Sequence, residues 1–236
     1  MSVTGSSPLS GSSSSRTIVI ADDHPLFRQA LMQVLDDRFP GALLHDAEDV
    51  GTLQGVLDTC GEVDLLLLDL HIPGAVGLSA LSWLVGQRPQ LPVILVSANT
   101  HPETVRKAID HGAAAFLSKS ADVDTMVECM EAVLDGSRGL YPELEASADG
   151  VDLSALDTAA ALGSLTPQQF RVLNMLADGL LNKQIAHALE VREATVKAHI
   201  TEVFRKLGVH SRTQAVLALG SLVIAPPDAL SRPPGA

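Results

Sequence analysis

The sequence has few aromatic residues, only two cysteines and no long apolar run. Cys60 and Cys129 lie far apart and match no metal-binding spacing, so we expect reduced thiols, as in a cytoplasmic protein, and no disulfide framework. No apolar run approaches the roughly 18 residues of a membrane span, so we expect a soluble protein without a membrane partner. The first 15 residues contain eight serines and no apolar core, which excludes a signal peptide and predicts a disordered tail at residues 1–15.

Basic residues are also few, and they are unevenly distributed. Residues 1–163 carry 8 basic and 23 acidic side chains, a net charge of −15, whereas residues 164–220 carry 7 and 4, a net charge of +3. The length of 236 residues suits one or two domains. The charge asymmetry therefore predicts two parts with different partners.

The most informative stretch runs from Asp64 to Gly74. Four consecutive leucines at 65–68 are too few for a membrane span and too apolar for a strand with one solvated face. They predict a central parallel strand that is buried on both faces. Asp69 follows at the carboxyl end of this strand, where α/β folds bind ligands. For Asp69 taken alone, a solvated loop aspartate is the alternative.

The rest of the first half alternates between strand and helix patterns. Strand patterns occur at 17–21, 42–44, 65–68, 93–97 and 114–117, and helix patterns follow them at 25–35, 50–57, 78–85, 105–109 and 123–134. Five strand–helix units predict an α/β domain over residues 16–136. We expect a five-stranded, doubly wound parallel sheet with helices on both faces.

Polar side chains stand at the carboxyl ends of the predicted strands: Asp22, Asp23, Asp69, Ser97 and Lys119. Three carboxylates at one edge repel one another unless a cation lies among them, and a hard ion such as Mg²⁺ binds carboxylates without histidine or cysteine. A lysine would offset the charge of a transferred phosphoryl group, and a short hydroxyl would donate a hydrogen bond to it. The set predicts a phosphoryl-transfer site, although each residue alone is also explained as a helix cap, a turn residue or a solvated charge.

This set resembles the functional residues of response-regulator receiver domains, which have a flavodoxin-like fold. The resemblance implies that Asp69 is the phosphoacceptor for a sensor histidine kinase. It also implies that Asp22 and Asp23 hold Mg²⁺, together with Asp69 and the backbone carbonyl of His71. No enzymatic activity is implied beyond the chain's own phosphoryl transfer and slow dephosphorylation.

The same resemblance assigns Ser97 and Lys119 to contact with the phosphoryl group. Phe116, three residues before Lys119, resembles the switch aromatic whose rotamer follows the displacement of Ser97. A plain core phenylalanine is the alternative for Phe116. Ile72, where methionine is common in the family, is a mild departure.

Residues 137–163 lose the alternating pattern and are rich in Gly, Ser, Ala, Asp and Glu. They predict a linker that is long enough for the flanking domains to reorient, with at most a short helix in its alanine-rich part.

After the linker, Thr166, Pro167 and Gln169 predict a capped helix start. A short helix at 183–189, capped by Asn182, then precedes a longer one at 193–207. A short helix, a tight turn and a longer helix predict a helix-turn-helix.

The longer predicted helix has two different faces. Its apolar positions recur at helical spacing and face the core: Val196, Ile200, Val203 and Leu207. The opposite face is basic and short-chained: Lys197, Ala198, Thr201 and Arg205. Lysine suits guanine edges or phosphate, and the methyl groups of Ala198 and Thr201 suit thymine methyls. An ordinary amphipathic surface helix is the alternative, but further basic residues in this short domain favour DNA.

The second half resembles a LuxR-type helix-turn-helix domain in the segments Leu165–Pro167, Asn182–Ala186, Thr195–His199 and Lys206–Ala215. The whole chain thus resembles a NarL/FixJ-type response regulator, with an all-α, four-helix domain at residues 164–222 and a disordered tail at 223–236. The resemblance implies binding of double-stranded DNA and a homodimer on activation. We expect DNA contacts from Lys183, Arg192, Thr195, Lys197, Ala198, Thr201, Arg205 and Lys206.

Two departures and two alternatives accompany this interpretation. Gln169 stands where such domains usually carry glutamate, and Arg192 where they often carry a serine cap, whose loss costs about 1 kcal/mol. One alternative is an atypical regulator that works without phosphorylation. The other is an aspartate-nucleophile phosphatase, which would require a second aspartate where His71 stands.

The charge asymmetry also predicts autoinhibition. An acidic first domain close to a basic DNA-binding surface should weaken DNA binding by the unphosphorylated chain. If this domain also lay directly over Lys197 and Thr201, it would add steric occlusion that salt cannot screen.

Overall fold

The computed structural model describes residues 15–141, 153–220 and 222. Its strands are β1 (Thr17–Ala21), β2 (Leu43–Ala47), β3 (Leu65–Asp69), β4 (Val93–Ser97) and β5 (Ala115–Ser118). The first half contains the helices α1 (Pro25–Arg38), α2 (Val50–Thr59), α3 (Ser79–Gln87), α4 (Pro102–Asp110) and α5 (Val123–Leu134). The second half contains α6 (Leu153–Gly163), α7 (Pro167–Ala177), α8 (Asn182–Ala188), α9 (Glu193–Leu207) and α10 (Arg212–Gly220). None of these described helices is both long and apolar enough to cross a membrane.

Parts of the predicted tails and linker are not described. The tail at residues 1–15, apart from Ser15, and the tail at 223–236 lie outside the described residues. Linker residues 142–152 also lie outside them.

The five strands form one parallel sheet in the order β2-β1-β3-β4-β5. Leu65 and Leu67 point to the face that α1 and α5 cover. Leu66 and Leu68 point to the opposite face, under α2, α3 and α4. Successive side chains of a strand alternate between faces, so a strand with helices on both sides needs apolar residues at every position. The predicted doubly wound sheet is confirmed.

Several elements differ in extent from the predictions, and β2 and α4 show why. β2 runs from Leu43 to Ala47, because it pairs with β1 over five residues, whereas the sequence predicted only 42–44. As an edge strand it carries the polar residues His45 and Asp46, which hide its strand pattern. α4 begins at Pro102 rather than near Val105. Proline suits the first helical position, but the polar first turn adds no apolar periodicity.

The helices of the second half begin and end at recognisable signals. The predicted capping box of α7 is present, since Gln169 N–H donates to Thr166 Oγ1 at 3.3 Å and Thr166 N–H donates to Gln169 Oε1 at 3.1 Å. The predicted Asn182 cap is wrong: Leu181 is the cap of α8, and its N–H donates to Gln184 Oε1 at 2.7 Å. α9 has the predicted bounds and ends at Gly208 in the left-handed conformation, with φ of 65°.

The two halves contact each other through α3 and α6. These helices cross at Gly86 and Gly163 so closely that a Cβ atom on Gly86 would lie 2.2 Å from Gly163 Cα. One turn earlier, Trp83 stacks on Phe170 of α7 with ring centroids 5.1 Å apart. The Trp83 indole N–H donates to the Leu165 carbonyl at 3.1 Å. The short helix expected in the linker is therefore part of the contact between the two halves.

This contact makes one continuous core from the two halves. Leu162, Phe170 and Leu173 belong to the same buried cluster as the side chains of α2 and α3. A backbone hydrogen bond also joins the two halves, since Leu78 N–H donates to the Leu222 carbonyl at 3.1 Å. The reorientation that we expected from the linker length therefore requires these contacts to separate, at the cost of exposing apolar surface.

The two cysteines should differ in reactivity. Cys129 lies inside α5, 4% exposed, and burial raises the pKa of its thiol to about 11. Cys60, at the end of α2, is partly exposed. The thiolate is the reactive form, so at pH 8 only about a thousandth of Cys129 is reactive. We expect one fast equivalent in a thiol titration of the folded chain and two after denaturation; two fast equivalents from the folded chain would contradict the burial of Cys129.

Candidate functional site

Asp22 and Asp69 lie side by side at the carboxyl edge of the sheet. β1 and β3 pair in a register that joins Ala21 to Leu68, so the next residue of each strand reaches the same level. Both aspartates are buried, with 2% and 3% of their surface exposed. Asp23 lies nearer the rim, with 38% of its side chain exposed. The structure thus brings together the three acids that the sequence predicted at this edge.

Lys119 places a positive charge between the two buried aspartates. Its Nζ atom lies 2.7 Å from Asp22 Oδ2 and 3.0 Å from Asp69 Oδ2. Burial lowers the pKa of Lys119, but the contacts with Asp22 and Asp69 outweigh this effect, and the pKa is raised above its ordinary value. Lys119 therefore stays protonated at neutral pH, which is the charge state that stabilises a phosphoryl group.

The acid cluster fits a divalent cation. Asp22 Oδ2 is buried and has no aligned hydrogen bond among the described residues, although the Lys119 ammonium lies beside it. The Lys119 ammonium offsets one of the three carboxylate charges of Asp22, Asp23 and Asp69, and a divalent cation would offset the other two. Ligand atoms of Asp22, Asp23, His24 and Asp69 all lie within 4.8 Å of one another. Carboxylate oxygens are the usual ligands of Mg²⁺.

Sequence reasoning missed His24 as a member of this cluster. Its Nδ1 atom lies 2.7 Å from Asp23 Oδ1 and 3.2 Å from Asp22 Oδ1. The available signal was its position directly after the acid pair. Because a hard cation needs no histidine nitrogen, the metal site predicted from the sequence contains only oxygen ligands.

Ser97 and His71 lie next to the acid cluster at the same edge of the sheet. Ser97 ends β4 and is fully buried, and its carbonyl accepts a hydrogen bond from Lys119 N–H at 2.9 Å. Its hydroxyl accepts from Asn99 N–H at 3.0 Å, so the hydroxyl proton can be donated elsewhere. His71 N–H donates to Asp69 Oδ1 at 3.3 Å. The metal-binding role of the His71 carbonyl and the phosphoryl contact of Ser97 stay predictions.

Phe116 is fully buried in β5, and a segment after α5 covers it. Phe116 N–H donates to the Leu140 carbonyl at 3.0 Å, and the Tyr141 ring meets the Phe116 ring edge-on, with centroids 5.9 Å apart. Tyr141 opens the segment that leads to α6. A change in the Phe116 rotamer would therefore disturb the start of the connection between the two halves, which suits the predicted switch role.

The outer face of α9 is open to solvent. Val196 and Val203 are fully buried beneath it, as predicted, while Lys197 and Thr201 are exposed. Lys197 pairs with Glu193 at 3.0 Å, and Thr201 Oγ1 donates to the Lys197 carbonyl at 3.0 Å. The other exposed residues with a predicted DNA contact are Lys183, Arg192, Thr195, Ala198 and Arg205. Among the described residues, the first half does not cover Lys197 and Thr201, because it contacts α6 and α7 instead.

Lys206 differs from the other predicted DNA contacts. Its Nζ donates to the Ser164 carbonyl at 2.6 Å and to Gln169 Oε1 at 2.8 Å. Lys206 therefore links the end of α9 to the start of α7 inside the domain. Arg192 begins α9 without a side-chain cap, as its sequence position predicts.

Comparisons with known proteins decide the family. The response regulator receiver domain family matches residues 18–131, and the luxR family of bacterial regulatory proteins matches residues 163–219. The glycerol metabolism activator of Pseudomonas putida is 38% identical over 210 residues, which cover 87% of this chain and 95% of that protein. The chain is a LuxR-type response regulator.

Further relatives agree with the NarL/FixJ-type organisation of this response regulator. The nitrate/nitrite response regulator protein NarL of Escherichia coli strain K12 is 30% identical over 210 residues, covering 85% of this chain and 93% of NarL. The solved structure of RcsB from Salmonella typhimurium aligns over 88% of this chain and 98% of that one, at 20% identity and a TM-score of 0.50. The RcsB likeness shows a shared fold. The protein is accordingly a two-component transcription regulator that binds DNA.

Proposed function

We propose that a sensor histidine kinase phosphorylates Asp69, and that phosphorylation switches the protein to a homodimer that binds specific double-stranded DNA through α9. The observation that carries this proposal is the position of Lys119, whose ammonium contacts both Asp22 and Asp69 within 3.0 Å. A nucleophilic carboxylate, an acid pair and a protonated lysine at one sheet edge are what phosphoryl transfer requires.

The transfer step follows from these side chains. A carboxylate oxygen of Asp69 attacks the phosphorus atom of the kinase phosphohistidine, the P–N bond breaks, and its electron pair returns to the imidazole. The Lys119 ammonium, which contacts Asp69 before the transfer, would then contact the phosphoryl oxygens, and the Ser97 hydroxyl would donate a hydrogen bond to one of them. When Mg²⁺ is bound, it supplies positive charge that offsets the phosphoryl oxygens. Asp22 and Asp23, with Asp69 and the His71 carbonyl, would hold it.

DNA recognition would use the exposed face of α9. Lys197, Ala198 and Thr201 stand on this face and suit the edges of bases in the major groove. Lys183, Arg192 and Arg205 lie at its flanks and suit phosphates, while Thr195 lies near the beginning of the helix. Because Lys206 is held by Ser164 and Gln169, its part in DNA binding would be to fix the angle of α9.

The proposed switch acts on a surface that is already exposed. The outer face of α9 is exposed even while the two halves contact each other. Inhibition of DNA binding would therefore come from the negative charge of the first domain and from the monomeric state. Leu217 on α10 is 68% exposed and offers an apolar position for a dimer contact. A solved structure of RcsB shows two dimers bound to two parallel DNAs, and we propose a comparable dimer for this chain.

One incubation tests the proposed function against its alternatives. The protein is mixed with Mg²⁺ and acetyl phosphate, and both retained phosphate and affinity for a selected operator are measured. We expect one retained equivalent and tighter DNA binding. If the protein gains no phosphate but still binds the operator, the result would favour the phosphorylation-independent regulator. Many turnovers of phosphate release would favour the phosphatase, which already lacks its second acid because His71 occupies that position.

Substitution of Lys197 or Thr201 by alanine should reduce discrimination between operator and random DNA. A lost base contact typically costs about 1–3 kcal/mol for the correct sequence only. Both affinities are measured at one salt concentration, because phosphate contacts depend strongly on salt. Lys107→Ala is the matched control, since Lys107 makes the same i,i+4 pair with Glu103 on α4 that Lys197 makes with Glu193. Equal losses on both DNAs would make Lys197 a phosphate contact.

A further inference from the structure

We propose that His24 is a direct ligand in the metal site and gives it a preference for Mn²⁺ over Mg²⁺. This inference rests on the proposed function, in which the acid cluster holds a divalent cation. It adds an imidazole nitrogen to a set that otherwise consists of oxygen atoms.

The position of His24 Nδ1 is the first argument. Nδ1 lies 2.7 Å from Asp23 Oδ1, 3.2 Å from Asp22 Oδ1 and 3.9 Å from Asp69 Oδ2. Two ligand atoms on the same ion are separated by at most twice the metal–ligand bond, or about 4.2–4.4 Å for bonds of the usual length. The ligand atoms of all four residues lie within 4.8 Å of one another, so a shift of a few tenths of an ångström lets them share one ion.

The backbone holds His24 in this position. Its N–H donates to Asp22 Oδ1 at 2.8 Å, which ties the residue to the buried acid. The turn is fixed further by Arg28, whose Nη1 donates to the Asp22 carbonyl at 2.6 Å and whose Nε donates to Asp46 at 2.8 Å. His24 occupies the N-cap position of α1, but its side chain makes no capping hydrogen bond. Instead, Nδ1 faces the acids and lies 3.3 Å from the Lys119 ammonium, the cation that the acids contact in this arrangement.

The chemistry of the ligands gives the selectivity. The three carboxylates carry three negative charges against the single positive charge of Lys119, so they provide oxygen ligands for any divalent cation. Mg²⁺ takes oxygen ligands and loses its water reluctantly, so an imidazole adds little to its binding. Mn²⁺ stands at the weak end of the Irving–Williams order, but as a first-row transition ion it gains more from an imidazole nitrogen than Mg²⁺ does. A site with three carboxylates and one imidazole should therefore retain Mg²⁺ while binding Mn²⁺ more tightly.

The test compares the full-length protein with three variants at pH 8. His24→Ala and His24→Gln remove the proposed ligand. His101→Ala is the matched control, because His101 also occupies an exposed N-cap directly before a proline, Pro102, and makes no side-chain cap bond. We expect the His24 variants to lose on the order of tenfold in Mn²⁺ affinity and less than about twofold in Mg²⁺ affinity. The control should match the parent protein.

A spectroscopic measurement identifies the ligand directly. Bound Mn²⁺ should show nitrogen coupling in its electron spin-echo modulation in the parent protein and in His101→Ala, and this coupling should vanish in both His24 variants. Bound Mn²⁺ without nitrogen coupling, or coupling that survives in His24→Ala, would overturn the role of His24 and leave the acid site intact. A failure of the parent protein to bind either ion would overturn the acid site of the proposed function, and His24 as its ligand with it.

Discussion

Asp69→Asn should abolish stable phosphorylation while leaving the receiver folded. The substitution keeps the shape of a side chain that is only 3% exposed, but it removes the negative charge and the nucleophilic oxygen. Lys119 keeps its 2.7 Å contact with Asp22, so the charge of the lysine remains paired. The fold should survive, because one fewer carboxylate in a buried cluster reduces the repulsion within it.

Intact mass after incubation with Mg²⁺ and acetyl phosphate measures this effect. The parent protein should gain one phosphoryl group and Asp69→Asn none. Asp58→Asn serves as the control, since Asp58 is exposed on α2 and lies outside the acid cluster. Uptake of one equivalent by the Asp69 variant would show that another residue is the phosphoacceptor.

Gly86→Ala should separate the two domains. The new methyl group would lie 2.2 Å from Gly163 Cα, and a backbone atom cannot move aside as a flexible side chain does. Overpacking of this kind costs about 1–3 kcal/mol, which changes a docking equilibrium roughly 5- to 150-fold. Alanine is also about 1 kcal/mol better than glycine in a helix, so α3 itself should not be weakened. The substitution should therefore weaken the contact between the two domains without destabilising the receiver domain.

The single tryptophan reports this separation. Trp83 is the only tryptophan of the sequence, is 4% exposed and stacks on Phe170 across the domain contact. On separation its emission should shift to longer wavelength and become accessible to a soluble quencher. Gly55→Ala is the control, because a Cβ atom at Gly55 in α2 meets nothing within 4 Å. Unchanged Trp83 emission in Gly86→Ala would show that the crossing of α3 and α6 tolerates a side chain.

Local patterns were sufficient for most of the elements and for the acid edge. Apolar residues at every position of 65–68 indicate a strand with helices on both sides, and the structure shows both faces covered. The helical spacing of apolar residues in 193–207 predicts the bounds of α9 and its buried face. Where the apolar pattern is weak, the predicted bounds are less accurate, as in β2, where His45 and Asp46 interrupt the apolar run.

The chain's own sequence thus determined the sheet, the helix-turn-helix and the line of polar residues at the strand ends, because each depends on periodicity or on neighbours along the chain. Tertiary structure alone decided three features: the stacking of Trp83 on Phe170, the bond from Lys206 to Gln169, and the meeting of His24 with the acids of two strands. Trp83 and Phe170 lie in separate domains, and Lys206 and Gln169 on separate helices. Such contacts form between faces that periodicity marks only as buried or exposed, and the partner of each face is fixed when the elements pack together.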